Sequence, residues 1–376
     1  MHFHTIISKQ ALTIDNETFT AKEMAIPAAD KQSALQTIFR ERYGNDSFQA
    51  SLADFLAEWF SPADTLWVQT SGSTGTPKRM QVEKRRMMNS AMLTVSFLNL
   101  QENDDALLCM PLKYIAGKMV VVRALIAKLR LVLISPCGHP LENIGKIPAF
   151  AAMIPLQIYN SLKTPAEKER LKQIRHLIIG GGAIEHSMEE ELKNFPYDVW
   201  STYGMTETLS HIALRKLSGY SASEWYTPFS NVTLSSAPDG TLIIDAPSVC
   251  SQRLGTNDIV EFNSQGQFRV LGRKDNTINT GGVKVQIEQI EAALYPYMPL
   301  PFQITSAPDP KFGERIVLLI EGCTKKITPE LEGIMGKAFD KLPAYWRPKQ
   351  IVFVASLPMT ETGKPDRAAA KQLVLQ

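Results

Sequence analysis

Short apolar runs alternate with amphipathic segments along the first two hundred residues, after a helix-favouring start over residues 31–60. The apolar runs have the length of buried strands and lie at 66–69, 106–110, 131–134, 150–154, 176–179 and 198–202. The segments that favour helix lie at 83–97, 117–127 and 188–193. Because strand and helix follow each other in turn, the pattern predicts a mostly parallel, layered α/β domain.

The pattern changes near residue 231, where short strands and tight turns replace the alternation. Runs at 241–245, 259–262 and 268–271 predict a small β subdomain over about 228–272. A segment with a glycine and three charged residues, 271–276, then precedes a final part of the chain that mixes helix and strand. The predicted fold is therefore a large α/β domain over 1–272, with the β subdomain, followed by a small α+β domain over 273–376.

Composition narrows the class of protein. The chain has 376 residues, of which 44% are hydrophobic and 21% charged, and its net charge of +2 argues against a nucleic-acid partner. Four cysteines without a CxxC pair indicate reduced thiols rather than a zinc site. The most apolar segment, 119–134, contains Arg123, Lys128 and Arg130, so no membrane span is expected. The N-terminus lacks a secretory signal, and a soluble, cytoplasmic protein is expected, with a homo-oligomer left open.

A loop rich in glycine and hydroxyl groups follows the apolar run at 65–68. Glycine turns the backbone N–H groups toward an anion, hydroxyls add donors, and a lysine adds positive charge. The residues predicted to hold a polyphosphate, with ATP as the first candidate, are Thr70, Ser71, Gly72, Ser73, Thr74, Gly75 and Lys78. A plain Ser/Thr/Gly linker is the alternative. A kinase-type phosphate loop fits poorly, because Gly-Lys-Ser/Thr is absent.

A second polar segment, residues 201–208, follows the strand at 198–202. Glu207 offers an oxygen ligand for Mg²⁺, which prefers one or two carboxylates together with phosphate oxygens. Thr206 can donate to phosphate, and the ring of Tyr203 can cover a purine. Strand ends are where layered α/β sheets bind ligands, although a glutamate that merely caps a turn would give the same pattern.

Weaker signals come from four other places. The glycines at 180–182 could let a base lie against bare backbone, Asp258 could accept from ribose hydroxyls, and Arg273 could contact ribose or phosphate. Lys364 lies on a loop with glycine and proline, where it could reach a transition state as a compact charge. Each alone is better explained as a turn, a surface ion pair or a solvated lysine, so their weight comes from occurring together.

In this order the motifs resemble those of the adenylate-forming superfamily of acyl-CoA synthetases, adenylation domains and luciferases, over about residues 66–367. The resemblance implies ATP and coenzyme A as co-substrates, Mg²⁺ as cofactor, and acyl-AMP as the intermediate. It also implies a mobile C-terminal domain with Asp275 as its hinge. It assigns catalysis to Lys364, Glu207 and Thr206 and metal binding to Glu207. Besides the 70–78 loop, it assigns nucleotide binding to Gly181, Gly182, Ala183, Tyr203, Gly204, Asp258 and Arg273, and the CoA channel to Thr280, Gly281 and Gly282.

Within the superfamily, residues 203–211 and the compact length are most similar to CoA ligases that act on an aromatic dicarboxylic acid. One carboxylate reacts, and the other needs a cationic or hydrogen-bonding anchor, since burying an unpaired charge is costly. The predicted acyl-site residues are Lys118, Ser210, His211, Tyr114 and Gly204, with Lys113 and Arg215 behind them. The early phosphate loop departs from the family pattern and implies a reduced N-terminal subdomain.

Three alternatives remain at this point. The acid could be another aromatic acid or a fatty acid, and the acceptor could be the phosphopantetheine of a carrier protein. The chain could also be a nucleotide-binding protein that has lost catalysis, but the presence of Glu207, Asp258 and Lys364 argues against it.

Overall fold

The computed structural model describes residues 3–69, 79–322, 329–360 and 365–375. The chain forms two compact units. Unit 1 contains Met1–Ala183, Glu191–Thr233 and Asp245–Arg253, and unit 2 contains Ile184–Glu190, Leu234–Ile244 and Leu254–Gln376. The domain boundary expected near residue 272 stays a prediction.

Unit 1 alternates helix and strand as the sequence pattern predicts. Its strands are β1 (Ala11–Ile14), β2 (Glu17–Thr20), β3 (Thr65–Gln69), β4 (Arg79–Glu83), β5 (Asp105–Leu108), β6 (Arg130–Leu133), β7 (Phe150–Met153), β8 (His176–Ile179), β9 (Asp198–Gly204), β10 (His211–Lys216) and β11 (Thr227–Pro228). Its helices are α1 (Phe3–Ile7), α2 (Ala21–Met24), α3 (Ala34–Tyr43), α4 (Phe48–Trp59), α5 (Lys84–Leu98), α6 (Ile115–Ala127), α7 (Pro155–Lys163) and α8 (Pro165–Leu171), and α9 (His186–Leu192) spans a unit boundary.

A nine-stranded sheet, in the order β11-β10-β9-β8-β7-β5-β6-β1-β2, forms the centre of unit 1. The run from β9 to β1 is parallel, and the strands beyond it at either edge are antiparallel. Every residue of β5 and β7 is buried, as expected of strands covered on both faces. The predicted α/β fold is confirmed.

The hairpin of β1 and β2 was not predicted. Asp15 and Asn16 form its two-residue turn, and both have positive φ, 45° and 72°. Short polar residues tolerate this conformation and favour tight hairpins. The signal in the sequence was therefore Asp-Asn between the buried Leu12 and Ile14 on one side and Phe19 on the other.

Strands β3 and β4 form a separate antiparallel pair, in which Gln69 faces Arg79. The described residues on either side of 70–78 are thus held together as sheet partners. Gln69 also forms a bridge with Tyr114, the residue that precedes α6. Gln69, the last described residue before 70–78, is therefore held beside the start of α6.

Helix α6 is deeply buried. Its residues from Gly117 to Leu125 are all buried, including the two cations Lys118 and Arg123. Gly117 is required there, because a Cβ would lie 2.6 Å from the carbonyl oxygen of Pro111. Lys128, with φ of 52°, ends the helix in a left-handed turn.

Unit 2 is richer in strand. Its strands are β12 (Thr233–Ser236), β13 (Thr241–Asp245), β14 (Leu254–Phe262), β15 (Phe268–Arg273), β16 (Thr277–Thr280), β17 (Val283–Gln286), β18 (Phe302–Asp309), β19 (Gly313–Glu321) and β20 (Gln350–Val354). Its helices are α10 (Ile287–Leu294), α11 (Pro329–Asp340) and α12 (Arg367–Leu373). Strands β12 to β15 form one sheet, and β17-β16-β19-β18, with β20 beside β19, form another.

Strand β19 has two buried faces. Ile316, Leu318 and Ile320 pack into one core with residues of α10 and α11, whereas Val317 and Leu319 pack into a second with Ala370 of α12. This period of two places helices on both faces of the strand. Among the described residues, no helix is long and apolar enough to cross a membrane.

Candidate active site

Two of the predicted segments meet at one edge of the large sheet. Strands β8 and β9 are parallel neighbours, and Ile179 at the end of β8 faces Ser201 in β9. The glycines at 180–182 follow β8, and residues 203–208 form the end of β9 and the turn beyond it. Because parallel strands end at the same edge, the structure brings these two predicted segments together.

Glycine is needed at the end of β8. A Cβ on Gly180 would lie 2.4 Å from the Thr202 hydroxyl oxygen, and Gly181 has a φ of 88°, in the left-handed region. Gly182 and Ala183 continue the turn, and both are exposed. An exposed, nearly bare backbone at a strand end suits the predicted contact with a flat base.

The segment after β9 presents polar groups at the same edge. Thr206 to Thr208 form one turn of 3-10 helix, and the Thr208 hydroxyl accepts from the Met205 N–H at 3.0 Å. The Glu207 side chain is exposed, and Tyr203 is edge-on to Tyr226 with 5.9 Å between ring centres. Tyr226 in turn is hydrogen-bonded to Ser201 at 2.8 Å.

Glu207 fits the kind of metal site that the sequence predicts. In the described ranges, no group of three or more His, Cys, Asp or Glu could hold a metal by itself. Mg²⁺ at a nucleotide site takes only one or two protein carboxylates, with phosphate and water completing its shell. A single exposed carboxylate at this edge is consistent with that chemistry.

The predicted phosphate loop lies outside the described residues, as does Lys364. The loop residues concerned are Thr70, Ser71, Gly72, Ser73, Thr74, Gly75 and Lys78. Their roles stay predictions.

A series of hydrogen bonds links mostly buried side chains next to the same segment. Arg123 Nη2 donates to Ser210 Oγ at 2.7 Å, and Ser210 Oγ lies 3.3 Å from His211 Nδ1. His211 Nε2 then lies 2.9 Å from Thr94 Oγ1, and the Thr94 hydroxyl also contacts the Ser90 carbonyl at 3.3 Å. This hydrogen-bond series therefore joins α6, α5 and the start of β10.

Burial shifts the pKa values of the two titratable groups in this hydrogen-bond series, Arg123 and His211. Arg123 is 2% exposed, and desolvation lowers its pKa to about 9, still above neutral pH. Burial, with the charge of Arg123 as a second cause, lowers the pKa of His211 well below its usual value. His211 is thus neutral, and Arg123 keeps its charge at neutral pH. Sequence reasoning treated Arg123 only as an interruption of an apolar stretch, although a cation within a buried helix was the available signal.

The other predicted acyl-site cations already have partners. Lys118 Nζ donates to the Trp67 carbonyl at 2.8 Å and pairs with Glu58 at 3.3 Å. Lys113 lies 4.9 Å from the centre of the Tyr114 ring, and Arg215 donates to the Ser223 carbonyl at 3.1 Å. Lys118 therefore connects β3, α4 and α6, and its predicted contact with the acid stays untested.

Unit 2 gathers the predicted ribose and hinge residues. Asp258 and Arg273 face each other across β14 and β15, and their side chains form an ion pair at 3.1 Å. Arg273 also contacts Asp275 at 3.1 Å, and Asn257 donates to Asp275 at 3.0 Å. From the sequence, Asp258 and Arg273 are expected to hold the ribose and Asp275 to be the hinge; the structure places all three in one cluster, and their roles stay predictions.

The predicted CoA-channel residues also lie in unit 2. Gly281 and Gly282 form the turn between β16 and β17, with φ of 61° and 81°. Two positive φ values in a two-residue hairpin turn explain the glycines structurally. A Cβ on Gly281 would lie 3.1 Å from the Tyr345 ring, so the turn is closely packed on that side, while Thr280 is buried.

Residues 5–233 match the family of AMP-binding enzymes, and the chain belongs to that family. It is therefore an adenylate-forming enzyme that uses ATP, and the resemblance found in the motifs is confirmed. A solved acyl-CoA synthetase (AMP-forming)/AMP-acid ligase II-like protein from Dyadobacter fermentans is 31% identical and has a TM-score of 0.59, over 88% of this chain and 95% of that one.

Two further relatives extend over nearly the whole chain. A 2-succinylbenzoate–CoA ligase of Listeria monocytogenes is 25% identical over 95% of this chain and 82% of its own length. The o-succinylbenzoate CoA synthetase of Bacillus subtilis, solved with its acyl-adenylate intermediate, is 18% identical. Its TM-score is 0.71 over 97% of this chain and 95% of that one, which shows the shared fold.

Proposed function

We propose that this protein is an o-succinylbenzoate:CoA ligase that acts in menaquinone synthesis. The main support comes from relatives named 2-succinylbenzoate–CoA ligase (in one case "probable"). They come from Listeria monocytogenes, Mycobacterium tuberculosis and Salmonella typhimurium, and they match 73–95% of the chain at 25–27% identity. The sequence favours the same member of the superfamily through residues 203–211. Membership in the AMP-binding family supports the first half of the reaction.

The proposed reaction has two halves. A carboxylate oxygen of the acid attacks the α-phosphorus of ATP, the bond from that phosphorus to the bridging oxygen breaks, and pyrophosphate leaves. The sulfur of CoA then attacks the acyl carbon of acyl-AMP, AMP leaves, and the thiol proton goes to solvent. Such chemistry needs positioned substrates and neutralised phosphate charge rather than a protein nucleophile.

The residues of the chain have positioning roles in this proposal. Glu207 would hold Mg²⁺, which supplies charge neutralisation at the phosphates. Tyr203 covers the base, the glycine turn at 180–182 lies against it, and Asp258 accepts from the ribose hydroxyls. Lys364 and the 70–78 loop supply positive charge and N–H donors to the phosphates. Thr280, Gly281 and Gly282 border the CoA arm, and the use of ATP and CoA supports the expected cytoplasmic location.

A carrier-bound acceptor is the second candidate. Part of a linear gramicidin synthase from Brevibacillus parabrevis, a much longer protein, is 22% identical over 80% of this chain. If the acceptor were a carrier phosphopantetheine, the first half-reaction would be the same and only the thiol would differ.

Pyrophosphate release with a panel of acids tests the substrate. We expect 2-succinylbenzoate to be turned over with a kcat/KM at least tenfold above that of benzoate or a medium-chain fatty acid. Equal or better turnover of those acids would contradict the assignment. Mass analysis of products formed with free CoA or with a phosphopantetheinylated carrier then distinguishes the two acceptors.

A further inference from the structure

The ring of Tyr203 has only a small side chain opposite it in the sheet. Ala213 faces Tyr203 across β9 and β10 and is fully buried. A side chain that a ligand has to order on binding lowers the affinity by about twofold to tenfold. A tyrosine that covers a base therefore binds it more tightly when a neighbouring residue already holds the ring in place.

Tyr226 contacts the ring of Tyr203 from the connection between β10 and β11. The two rings are edge-on with 5.9 Å between their centres, and the Tyr226 hydroxyl is hydrogen-bonded to Ser201 at 2.8 Å. Ser201 lies two residues before Tyr203 on β9, so both side chains point to the same face of the sheet. Because Ser201 is only 3% exposed, the hydroxyl end of Tyr226 is fixed at a buried position.

Arg215 contacts Tyr226 on the same face. It faces Ser201 across β9 and β10, and Tyr226 directly precedes β11, the antiparallel partner of β10. The guanidinium carbon of Arg215 lies 5.5 Å from the centre of the Tyr226 ring, within the range of a cation–π contact. Arg215 also donates to the Ser223 carbonyl at 3.1 Å, which fixes its position. Tyr226 therefore has a second support besides Ser201.

The arrangement selects one orientation of the Tyr203 ring. Tyr203 and Tyr226 are both half-buried, so close packing on all sides does not fix either ring. An edge-on aromatic pair favours one relative orientation of its two rings, and the hydrogen bond to Ser201 fixes Tyr226. The orientation of Tyr203 thus depends on Tyr226.

We propose that Tyr226 is a positioning residue that holds the Tyr203 ring in the orientation that binds the purine base of ATP, while Arg215 and Ser201 fix Tyr226. This inference rests on the proposed function, in which Tyr203 covers the base. Tyr226 acts through Tyr203 and needs no contact with the nucleotide. It should therefore affect ligands that carry a base and leave the binding of phosphate groups alone unchanged.

The test measures the dissociation constant of MgATP by isothermal titration calorimetry on the whole protein. Binding without the acid keeps the result independent of the acyl substrate. Tyr203→Leu removes the base-covering ring, Tyr226→Leu removes its support, and a third variant combines both substitutions. Inorganic tripolyphosphate, which has no base, is the second ligand. Tyr220→Leu is the matched control, because Tyr220 lies in the same connection between β10 and β11 but is fully exposed.

We expect Tyr203→Leu to raise the dissociation constant of MgATP by about tenfold or more, as for the loss of one base–aromatic contact. Tyr226→Leu should raise it by about threefold to tenfold, but should have no further effect when Tyr203→Leu is present, because its partner is gone. Tyr226→Phe and Arg215→Met each remove one support of the ring and should raise it by about twofold to threefold. Tyr220→Leu should leave it unchanged.

The effect should be on binding rather than on the chemical step. In pyrophosphate release at saturating ATP, the kcat of Tyr226→Leu should stay within about twofold of the wild-type value, whereas the KM for ATP rises with the dissociation constant. The dissociation constant of tripolyphosphate should stay the same. A general disturbance of the site would lower kcat and weaken tripolyphosphate binding, and either result would overturn the positioning role.

The outcomes separate this inference from the proposed function. If Tyr203→Leu leaves MgATP binding unchanged, Tyr203 does not cover the base, and its proposed role fails together with this inference. If Tyr203→Leu weakens binding but Tyr226→Leu does not, or if the two effects simply multiply, only the inference is overturned. If the wild type rejects 2-succinylbenzoate, the substrate assignment fails, and MgATP binding still decides the inference. If Tyr226→Leu does not fold, unchanged binding in both Tyr226→Phe and Arg215→Met overturns it.

Discussion

Gly204 lies so close to Ser210 that a Cβ at position 204 would come within 2.2 Å of the Ser210 carbonyl oxygen. The same atom would lie 2.6 Å from the Cα of His211, which faces Gly204 across β9 and β10. The turn that bears Glu207 is therefore closed at its base by a contact of backbone with backbone. The absence of a side chain at 204 allows the proposed metal ligand and the predicted acyl-site serine to share one short turn.

Gly204→Ala should therefore be costly. The clashing atoms belong to the backbone and cannot rotate away, so we expect a loss of about 1–3 kcal/mol in the free energy of unfolding. Adenylation should fall as well, because the turn at 205–210 must move. Denaturant unfolding and pyrophosphate release measure the two effects. Gly145→Ala, where a Cβ meets nothing within 4 Å, is the control, and equal effects of both substitutions would refute the explanation.

Gly180 and Thr202 should be energetically coupled. A Cβ at 180 would clash with the Thr202 hydroxyl oxygen at 2.4 Å, and the next nearest atom lies at 3.7 Å. Thr202→Ala removes that oxygen, so it should reduce the loss of stability that Gly180→Ala causes. In a double-mutant cycle of unfolding free energies we expect about 0.5–3 kcal/mol of favourable coupling. Strictly additive effects would mean that the strand end adapts by other means.

Asp258→Asn should weaken ATP binding if Asp258 accepts from the ribose. Loss of hydrogen bonds to a charged acceptor corresponds to a rise of about tenfold or more in the KM for ATP. Glu261→Gln is a matched control, since Glu261 forms a similar ion pair with Arg269 across the same two strands. Initial rates at varied ATP would measure both variants. Equal KM values in the two variants would leave Asp258 with a structural role only.

The buried histidine should make stability depend on pH. The unfolded chain takes up a proton on His211 near pH 6.5, whereas the folded imidazole stays neutral because burial holds its pKa well below that value. Above pH 6.5, His211 therefore has no effect on the free energy of unfolding. Below it, the free energy of unfolding falls as the pH falls from 6.5 toward 5. The slope from this group reaches at most about 1.4 kcal/mol per pH unit.

His211→Gln should remove that part of the slope, measured by denaturant unfolding between pH 5 and 8. His176→Gln is the comparison, because His176 is only half-buried and burial lowers its pKa less than that of His211. A smaller change of slope is expected there. If the wild type and His211→Gln have parallel pH profiles, the folded imidazole takes up its proton over the same pH range as the unfolded one, and burial does not lower its pKa.

The sequence by itself determined the layered fold and the order of the chemical segments. Strand β8 at 176–179 and strand β13 at 241–245 have the bounds that the apolar runs predicted. These features depend on local spacing, since a strand or a helix is encoded in neighbouring residues. The same spacing placed the polar segments at strand ends, where a nucleotide site is proposed. The β1–β2 hairpin was missed because its turn signal, Asp-Asn, is weak.

Only the tertiary structure decided which charges are paired. Lys118 finds Glu58 sixty residues away in the chain, whereas Arg123, five residues further along the same helix, donates to a serine. Along the sequence both are cations in an apolar stretch. Whether a buried charge has a counter-charge depends on which distant segments fold against it, and no local pattern carries that information.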